Sequence, residues 1–383
     1  MWNHACVGID FARSNGPTLG VEWEFALVDK QSRDLVNAAS ELFDLVRERH
    51  GPQPRLHKEL LRNTVELTTG ICRTTDQAIT ELTDMINIVR PAADELGVDL
   101  YSAGTHPFAN WSAQQLTDGH RYEELIARTQ WWGRQMLIWG VHVHVGISSD
   151  HVIPIVSSLL NQYPHLLALS ASSPIWAGTD TGYASNRAMM FQQLPTAGLP
   201  FQFRTWPEFE SYAHDLLTTG VIEEINEIRW DIRPSPTLGT VEIRICDGVS
   251  TVDEMRALVA LTHCLVVDLD DRLTRGEELP TMPPWHVQEN KWRAARYGLD
   301  AWIILDEKSN ERLILDDLHD LLEQLAPTAR RLECETELDL VVEIARRGAS
   351  YQRQRLVAKR TNDDMVAVVD SIVQELLPGS GVP

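Results

Sequence analysis

Gly20-Val21-Glu22-Trp23-Glu24-Phe25 is the stretch from which the rest of this chain is read. Successive side chains of a strand point to opposite faces, so Val21, Trp23 and Phe25 share one face and Glu22 and Glu24 the other. The same design returns in Thr64-Val65-Glu66-Leu67-Thr68, in Gly140-Val141-His142-Val143-His144-Val145-Gly146 and in Thr240-Val241-Glu242-Ile243-Arg244-Ile245. Each segment turns Val, Ile, Leu or an aromatic toward a core and Glu, His or Arg away from it. One sheet carrying all four gathers carboxylates, two imidazoles and a guanidinium on a single surface. Such a surface calls for divalent cations or a polyanion. Strict alternation favours an antiparallel sheet with one open face over a parallel sheet buried on both.

The 383 residues suffice for one large domain or two ordinary ones. A hydrophobic fraction of 43% and a charged fraction of 23% are those of a globular chain. Lys and Arg total 34 against 55 Asp and Glu, a formal charge of -21. That surplus argues against a nucleic-acid partner or an anionic membrane, whose binding needs basic patches. Nucleotides stay compatible, because metal ions and a few arginines hold them locally. The opening MWNHACVGIDFARSNG lacks a basic start followed by an apolar run, so no signal peptide is expected. The longest apolar stretch, Ala257 to Val267, is too short to span a bilayer. Cys6, Cys72, Cys246, Cys264 and Cys334 are odd in number and never form a Cys-x-x-Cys pair, which reads against disulfides and a zinc knuckle. These features predict a cytoplasmic protein.

No repeat, low-complexity tract or long Gly/Ser linker divides the chain. The pattern predicts strands at 18–28, 64–69 and 99–104, with helices at 40–49, 75–96 and from 122 to 128. The His-rich strand precedes a helix from about 152 to 170 and a Gly/Pro/Ser/Thr-rich loop over 172–206, a length usual for functional loops. Strands near 228–232 and 239–247 follow. Beyond Asp253 the spacing turns helical, over 254–275, 313–323 and 338–346. The expected fold is therefore α+β, one catalytic domain over 1–383 with a mainly helical part from about 253.

Glu22 and Glu24, two apart on one strand face, lie roughly 7 Å from each other, and leaving both ionised there is unfavourable without a cation. Glu66 and Glu242 repeat the arrangement singly, and Glu59 sits seven residues before Glu66, near enough to fold back. Oxygen ligands of this kind suit Mg²⁺ or Mn²⁺ over zinc. The alternative for any one glutamate is an ordinary solvated surface; the five together favour metal. His142 and His144 share a strand face flanked by glycines, where one imidazole can ligate a metal and the other donate to a phosphate or acyl oxygen. Arg244 can neutralise a phosphate or pair with Glu242. Arg187, Arg204 and Arg233 offer forks that match carboxylate or phosphate, with a structural role as the alternative. His106, in Thr105-His106-Pro107-Phe108, either lines an amino-acid pocket or marks a turn. The twelve tryptophans, the Trp131-Trp132 pair included, read as packing residues before an adenine platform. No P-loop, G-x-G-x-x-G or G-x-S-x-G motif is present.

These residues carry a resemblance. Gly-Val-Glu-Trp-Glu (20–24), Glu59 with Thr-Val-Glu-Leu-Thr-Thr-Gly (64–70), His-Pro-Phe-Ala (106–109) and His-Val-His-Val-Gly (142–146) resemble the type 2 glutamate–cysteine ligase family. Asp-Thr-Gly-Tyr-Ala-Ser-Asn-Arg (180–187) and the run Asp231 to Arg244 are similar to it as well, and the likeness extends from about residue 18 to at least 300. That family includes bacterial YbdK-like ATP-dependent carboxylate–amine ligases and belongs to the glutamine synthetase superfamily. The resemblance implies a curved antiparallel sheet with a metal and ATP site on its concave face and helices on its outer face. It implies one Mg²⁺ at Glu24, Glu59 and Glu66 and another at Glu22, His142 and Glu242. His144 would sit near the transferred phosphate, Arg244 would contact phosphate, and Arg187, Arg204 or Arg233 would hold the glutamate α-carboxylate. Many YbdK-like members have a third glutamate where this chain has Trp23, a position turned away from the site on a regular strand.

The implied reaction joins glutamate to cysteine, or to another amine, through a γ-glutamyl phosphate made from ATP. The same face would also serve a dinuclear metal hydrolase of amides or phosphoesters, or a protein that binds metal or nucleotide without turnover. Exposed sheet edges leave room for a homodimer.

Overall fold

The computed structural model describes residues 8–377; Cys6 and the first part of the stretch read for a leader lie outside them. All four alternating segments join one sheet. Its first strands are β1 (Leu19–Asp29), β2 (Leu56–Lys58), β3 (Thr64–Thr68), β4 (Val98–Tyr101) and β5 (Gly140–Gly146). A small hairpin of β6 (Ile175–Trp176) and β7 (Thr179–Asp180) stands apart, and β8 (Ile232–Ser235) and β9 (Thr240–Asp247) complete the sheet. The order is β2-β3-β1-β5-β9-β8, with every pairing antiparallel. β4 pairs with Ala26–Asp29 of β1, past the Leu19–Trp23 segment that β5 takes.

One face of the sheet is a continuous core. Leu19, Val21, Trp23, Phe25 and Leu27 of β1 bury there with Val65 and Leu67, Val141, Val143 and Val145, and Val241, Ile243 and Ile245. Helices Thr75–Glu95, Ser149–Leu159, Tyr163–Ser170 and Val252–Thr274 supply the covering layer. Thr74 caps the first of them by accepting from Gln77 N–H at 3.2 Å, and Thr251 caps the last by accepting from Glu254 N–H at 3.0 Å. Trp23 belongs to this core, its indole N–H donating to Ser102 Oγ at 2.8 Å. The other face is open along Glu22 and Glu24. It closes where the same parity of β1 reads Ala26 and Val28, which pack with Val368, Val369, Ile372 and Val373 of helix Met365–Glu375.

Three sequence expectations are corrected. The helix read over 152–170 is two helices bent by 67°, because Pro164 offers no N–H to Leu160 O and its ring crowds that carbonyl. The strand read near 228–232 runs over Ile232–Ser235 instead, following a 3₁₀ turn at Ile225–Glu227. Trp131 and Trp132 are exposed, not packed. In their one-turn helix Gly133 takes the inward position, where a Cβ would meet Thr129 Oγ1 at 2.0 Å. Helices Trp206–Thr218, Pro284–Tyr297, Ser350–Arg360 and Met365–Glu375 lie in stretches given no element from the pattern. Cys72, Cys246, Cys264 and Cys334 are free thiols. No single helix among the described residues is long and apolar enough to cross a membrane.

Candidate active site

Register assembles the site. Glu22 lies opposite His142, Glu24 opposite Glu66, and His144 opposite Glu242, so residues distant in sequence share one open face. A cavity of about 440 Å³ covers them, with Glu59, Arg233 and Arg244 also in its lining.

On its β1–β3 side the cavity is acidic. His142 Nδ1 donates to Glu22 at 2.7 Å, which leaves its Nε2 lone pair free among the described residues. Burial opposes the Glu22 charge, but hydrogen bonds and charge from His142 and His144 hold its carboxyl well below the usual range. Glu24 accepts from Gly140 N–H. Glu59, just past β2, is pushed up to about 8 by enclosure in the cleft and then by the Glu24 charge. Burial, then Glu59, Glu22 and Glu24, raises Glu66 well above the carboxylate range. Nearby cations do not balance this wall.

The β8–β9 side is basic and internally paired. Glu242 is 1% exposed and accepts from Arg233 Nε at 2.7 Å and from Arg244 Nη1. Burial would raise its carboxyl, yet Arg244 and Arg233 outweigh it and keep Glu242 ionised. His144 Nε2 is buried without a hydrogen-bond partner, 3.3 Å from Glu22 and 3.9 Å from Glu242. Burial disfavours its proton, but Glu242 and Glu22 together raise its affinity. His142 goes the other way, lowered by burial and then by Arg244.

A bulge aims Arg244. Val143 pairs with Ile243 and Val141 with Cys246, so Arg244 and Ile245 together oppose His142 alone. The freed carbonyls are taken by Arg187, whose guanidinium donates to Arg244 O at 3.2 Å and Ile245 O at 3.3 Å. Arg187 is 3% exposed, and a Cβ at Gly140 would lie 2.1 Å from its guanidinium, so only glycine admits it there. Arg187 thus braces the back of the site, outside the cavity lining.

Two other residues read as substrate contacts also lie away from the cavity. His106 is 2% exposed; its Nε2 bonds Arg33 O at 2.8 Å and its Nδ1 accepts from Phe108 and Ala109 N–H, the geometry of a buried turn. Arg204 is exposed ahead of helix Trp206–Thr218, its own N–H donating to Glu208. The lining adds Arg121, Tyr122, Asn226 and Arg229, which the sequence reading left out. Arg229 lies in the loop before β8, where strand parity gives no signal. For the helix residues Arg121 and Tyr122 there was none.

The donors fit hard divalent cations. Ligand atoms of Glu22, His142 and Glu242 lie within 4.8 Å of one another, and so do those of Glu24, Glu66 and His142.

Known structures share the architecture. A glutamate–cysteine ligase from Francisella tularensis, solved in complex with AMP, matches with a TM-score of 0.71 at 14% identity, covering 96% of this chain and 90% of that one. The ligase of the prokaryotic ubiquitin-like protein Pup, solved with Pup, matches at 0.54 and 12% identity, covering 96% and 74%. At such identities the likeness is one of fold, and the class it defines is that of large antiparallel sheets covered by helices. Sequence narrows the class. The profile of glutamate–cysteine ligase family 2 (GCS2) matches residues 18–372. A protein of Mycobacterium sp. strain KMS, provisionally named glutamate–cysteine ligase 2-1, is 68% identical over 369 residues, 96% of this chain and 97% of that protein. One from Nocardioides sp. strain ATCC BAA-499 / JS614, provisionally named glutamate–cysteine ligase 2-3, is 65% identical over 374 residues, 97% of this chain and 100% of its own length. The chain belongs to glutamate–cysteine ligase family 2, a family of ATP-dependent ligases that form a C–N bond.

Proposed function

We propose that this chain forms γ-glutamylcysteine, using ATP and Mg²⁺ or Mn²⁺. The observation that carries the reading is one cleft where two groups of carboxylate ligands sharing His142 meet arginines paired through Glu242. The γ-phosphoryl group of ATP would pass to the glutamate γ-carboxylate, releasing ADP. The cysteine amine would then attack the acyl carbon and expel phosphate. Glu22, His142 and Glu242 would hold one ion, and Glu24 and Glu66, with Glu59 beside them, a second. Bound ions would offset repulsion between phosphate and carboxylate as they approach.

The chain's own groups supply the rest. Arg244, held ionised by Glu242 and aimed by its bulge, would stabilise charge on the transferred phosphoryl group. His144, fixed by Thr240 Oγ1 at 3.0 Å, would turn its unpartnered Nε2 to the same charge. Tyr122, Leu125, Met136 and Phe191 wall the cavity and would limit water at the acyl phosphate. In this reading the chain works in the cytoplasm as one catalytic domain, alone or as a homodimer.

Mass spectrometry of the purified protein with ATP, glutamate, cysteine and Mg²⁺ tests this. γ-Glutamylcysteine, ADP and phosphate should appear together, and omission of any one reactant or the cation should stop all three. ADP formation without glutamate, or amide hydrolysis without ATP, would sink the ligase reading for this site. Product with a different amine and none with cysteine would move the acceptor assignment alone.

A further inference from the structure

Beside the catalytic cavity lies a second, of about 670 Å³, between helix His120–Thr129 and the 220–229 segment. The two cavities share Arg121, Leu125, Asn226 and Arg229, which form the neck between them. A pocket of 300–1,000 Å³ typically encloses one drug-sized ligand. The 440 Å³ cleft must hold a triphosphate and the reacting atoms, so parts of the substrates must extend beyond it.

Charge says which part extends through the neck. Arg233 and Arg244 are held by Glu242 at hydrogen-bond distance, whereas of the neck arginines Arg229 has a longer ion pair with Glu227 and Arg121 has none among the described residues. Arg229 donates to Glu227 O at 3.1 Å, and the Glu227 carboxylate stays 3.6 Å from its guanidinium, outside hydrogen-bond distance. Spare guanidinium donors at a neck fit a carboxylate. Beyond them the lining holds four carboxylates, Glu124, Glu223, Glu224 and Glu227, against Arg128 and His120. No Trp, Tyr or Phe lines it, so it offers no broad platform for adenine. The cysteine amine must lose its charge at the reacting carbon, whereas the glutamate α-ammonium stays charged throughout and suits an acidic wall.

We propose that the second cavity seats the amino-acid end of glutamate. Arg121 and Arg229 bind the α-carboxylate, Glu223 and Glu224 face the α-ammonium, and the γ-carboxylate passes through the neck into the metal cleft. The assignment rests on the ligase reading above.

Steady-state kinetics with glutamate and with 4-aminobutyrate, which is glutamate without its α-carboxylate, tests it. With saturating ATP and cysteine, the wild type should prefer glutamate in kcat/KM by about 100-fold or more. Arg229→Gln and Arg121→Gln should each raise the KM for glutamate by about tenfold or more and shrink that preference, with the KM for ATP and cysteine held within about twofold. Arg229→Lys should recover part of the loss. Thermal melts separate a folding defect in Arg229→Gln, and Arg121 sits on an exposed helix face where folding does not depend on it. Equal losses on both donors, or wild-type indifference between them, would overturn the assignment while leaving the ligase reading intact. Loss of discrimination between cysteine and cysteamine would give the cavity to the acceptor and overturn it as well. A wild type that makes no γ-glutamyl product removes the ligase reading itself.

Discussion

Glu242 and Glu59 line the same cleft, yet their surroundings drive them in opposite directions. Glu242 sits between Arg233 and Arg244 and stays ionised despite full burial. Glu59 faces Glu24 and Glu22 and is pushed up to about 8. The difference lies in the partners, not the residue. The β8–β9 wall carries its own countercharge and holds its shape without help. The β1–β3 wall crowds carboxyls that hold protons until a cation takes their place, so the open face has one self-sufficient side and one side built around its ligand.

The largest break in this contrast comes from the paired side. Glu242→Ala leaves Arg233 and Arg244 without their carboxylate and removes a ligand atom. Product formation should fall about 10³-fold or more, and stability by roughly 3–5 kcal/mol, the usual range for a broken buried pair. Activity within tenfold of wild type would show that the pairing does not organise the site. Arg187→Met tests the brace behind it. With the bulge carbonyls released, kcat should drop about 10–10²-fold with smaller changes in KM, and Arg187→Lys, which lacks the fork, should not restore it.

The acidic side is sharpened by pH. A carboxylate raised in the folded state adds stability below its unfolded value and loses it as pH climbs through the folded one. For Glu59 that window runs from about 4.5 to about 8. Denaturant melts in chelator should therefore show wild type losing stability across it relative to Glu59→Gln, and Mg²⁺ should flatten the slope. Parallel pH courses for the two proteins would contradict the charge imbalance. Arg204→Ala should be the mildest change, within about twofold in activity, because its side chain is exposed away from both cavities.

Much of the site was legible in sequence because strand parity fixes a face before the strand order is known. Glu22, Glu24, Glu66, His142, His144 and Glu242 all follow from that rule, and register brings them together. Arg187 was visible as a guanidinium in a loop, but a fork that fits phosphate fits two bulge carbonyls equally well. The bulge itself depends on how β9 meets β5, which residue order does not reveal. Arg121 reaches the cleft from a helix and Arg229 from a loop, so their meeting is set by packing between distant segments. His106 carried a family motif and proved to be a buried turn. Pro164, by contrast, was readable as a helix breaker and explains the bend that periodicity alone passes over.

The most direct test is proton release on Mg²⁺ binding, measured by titration calorimetry near pH 7 in two buffers of different ionisation enthalpy. With Glu59 and Glu66 holding protons in the metal-free protein, binding should displace them into buffer, and the double Glu59→Gln, Glu66→Gln variant should release none. Tight Mg²⁺ binding with no proton release, identical in both proteins, would contradict a wall whose charge waits for its cation.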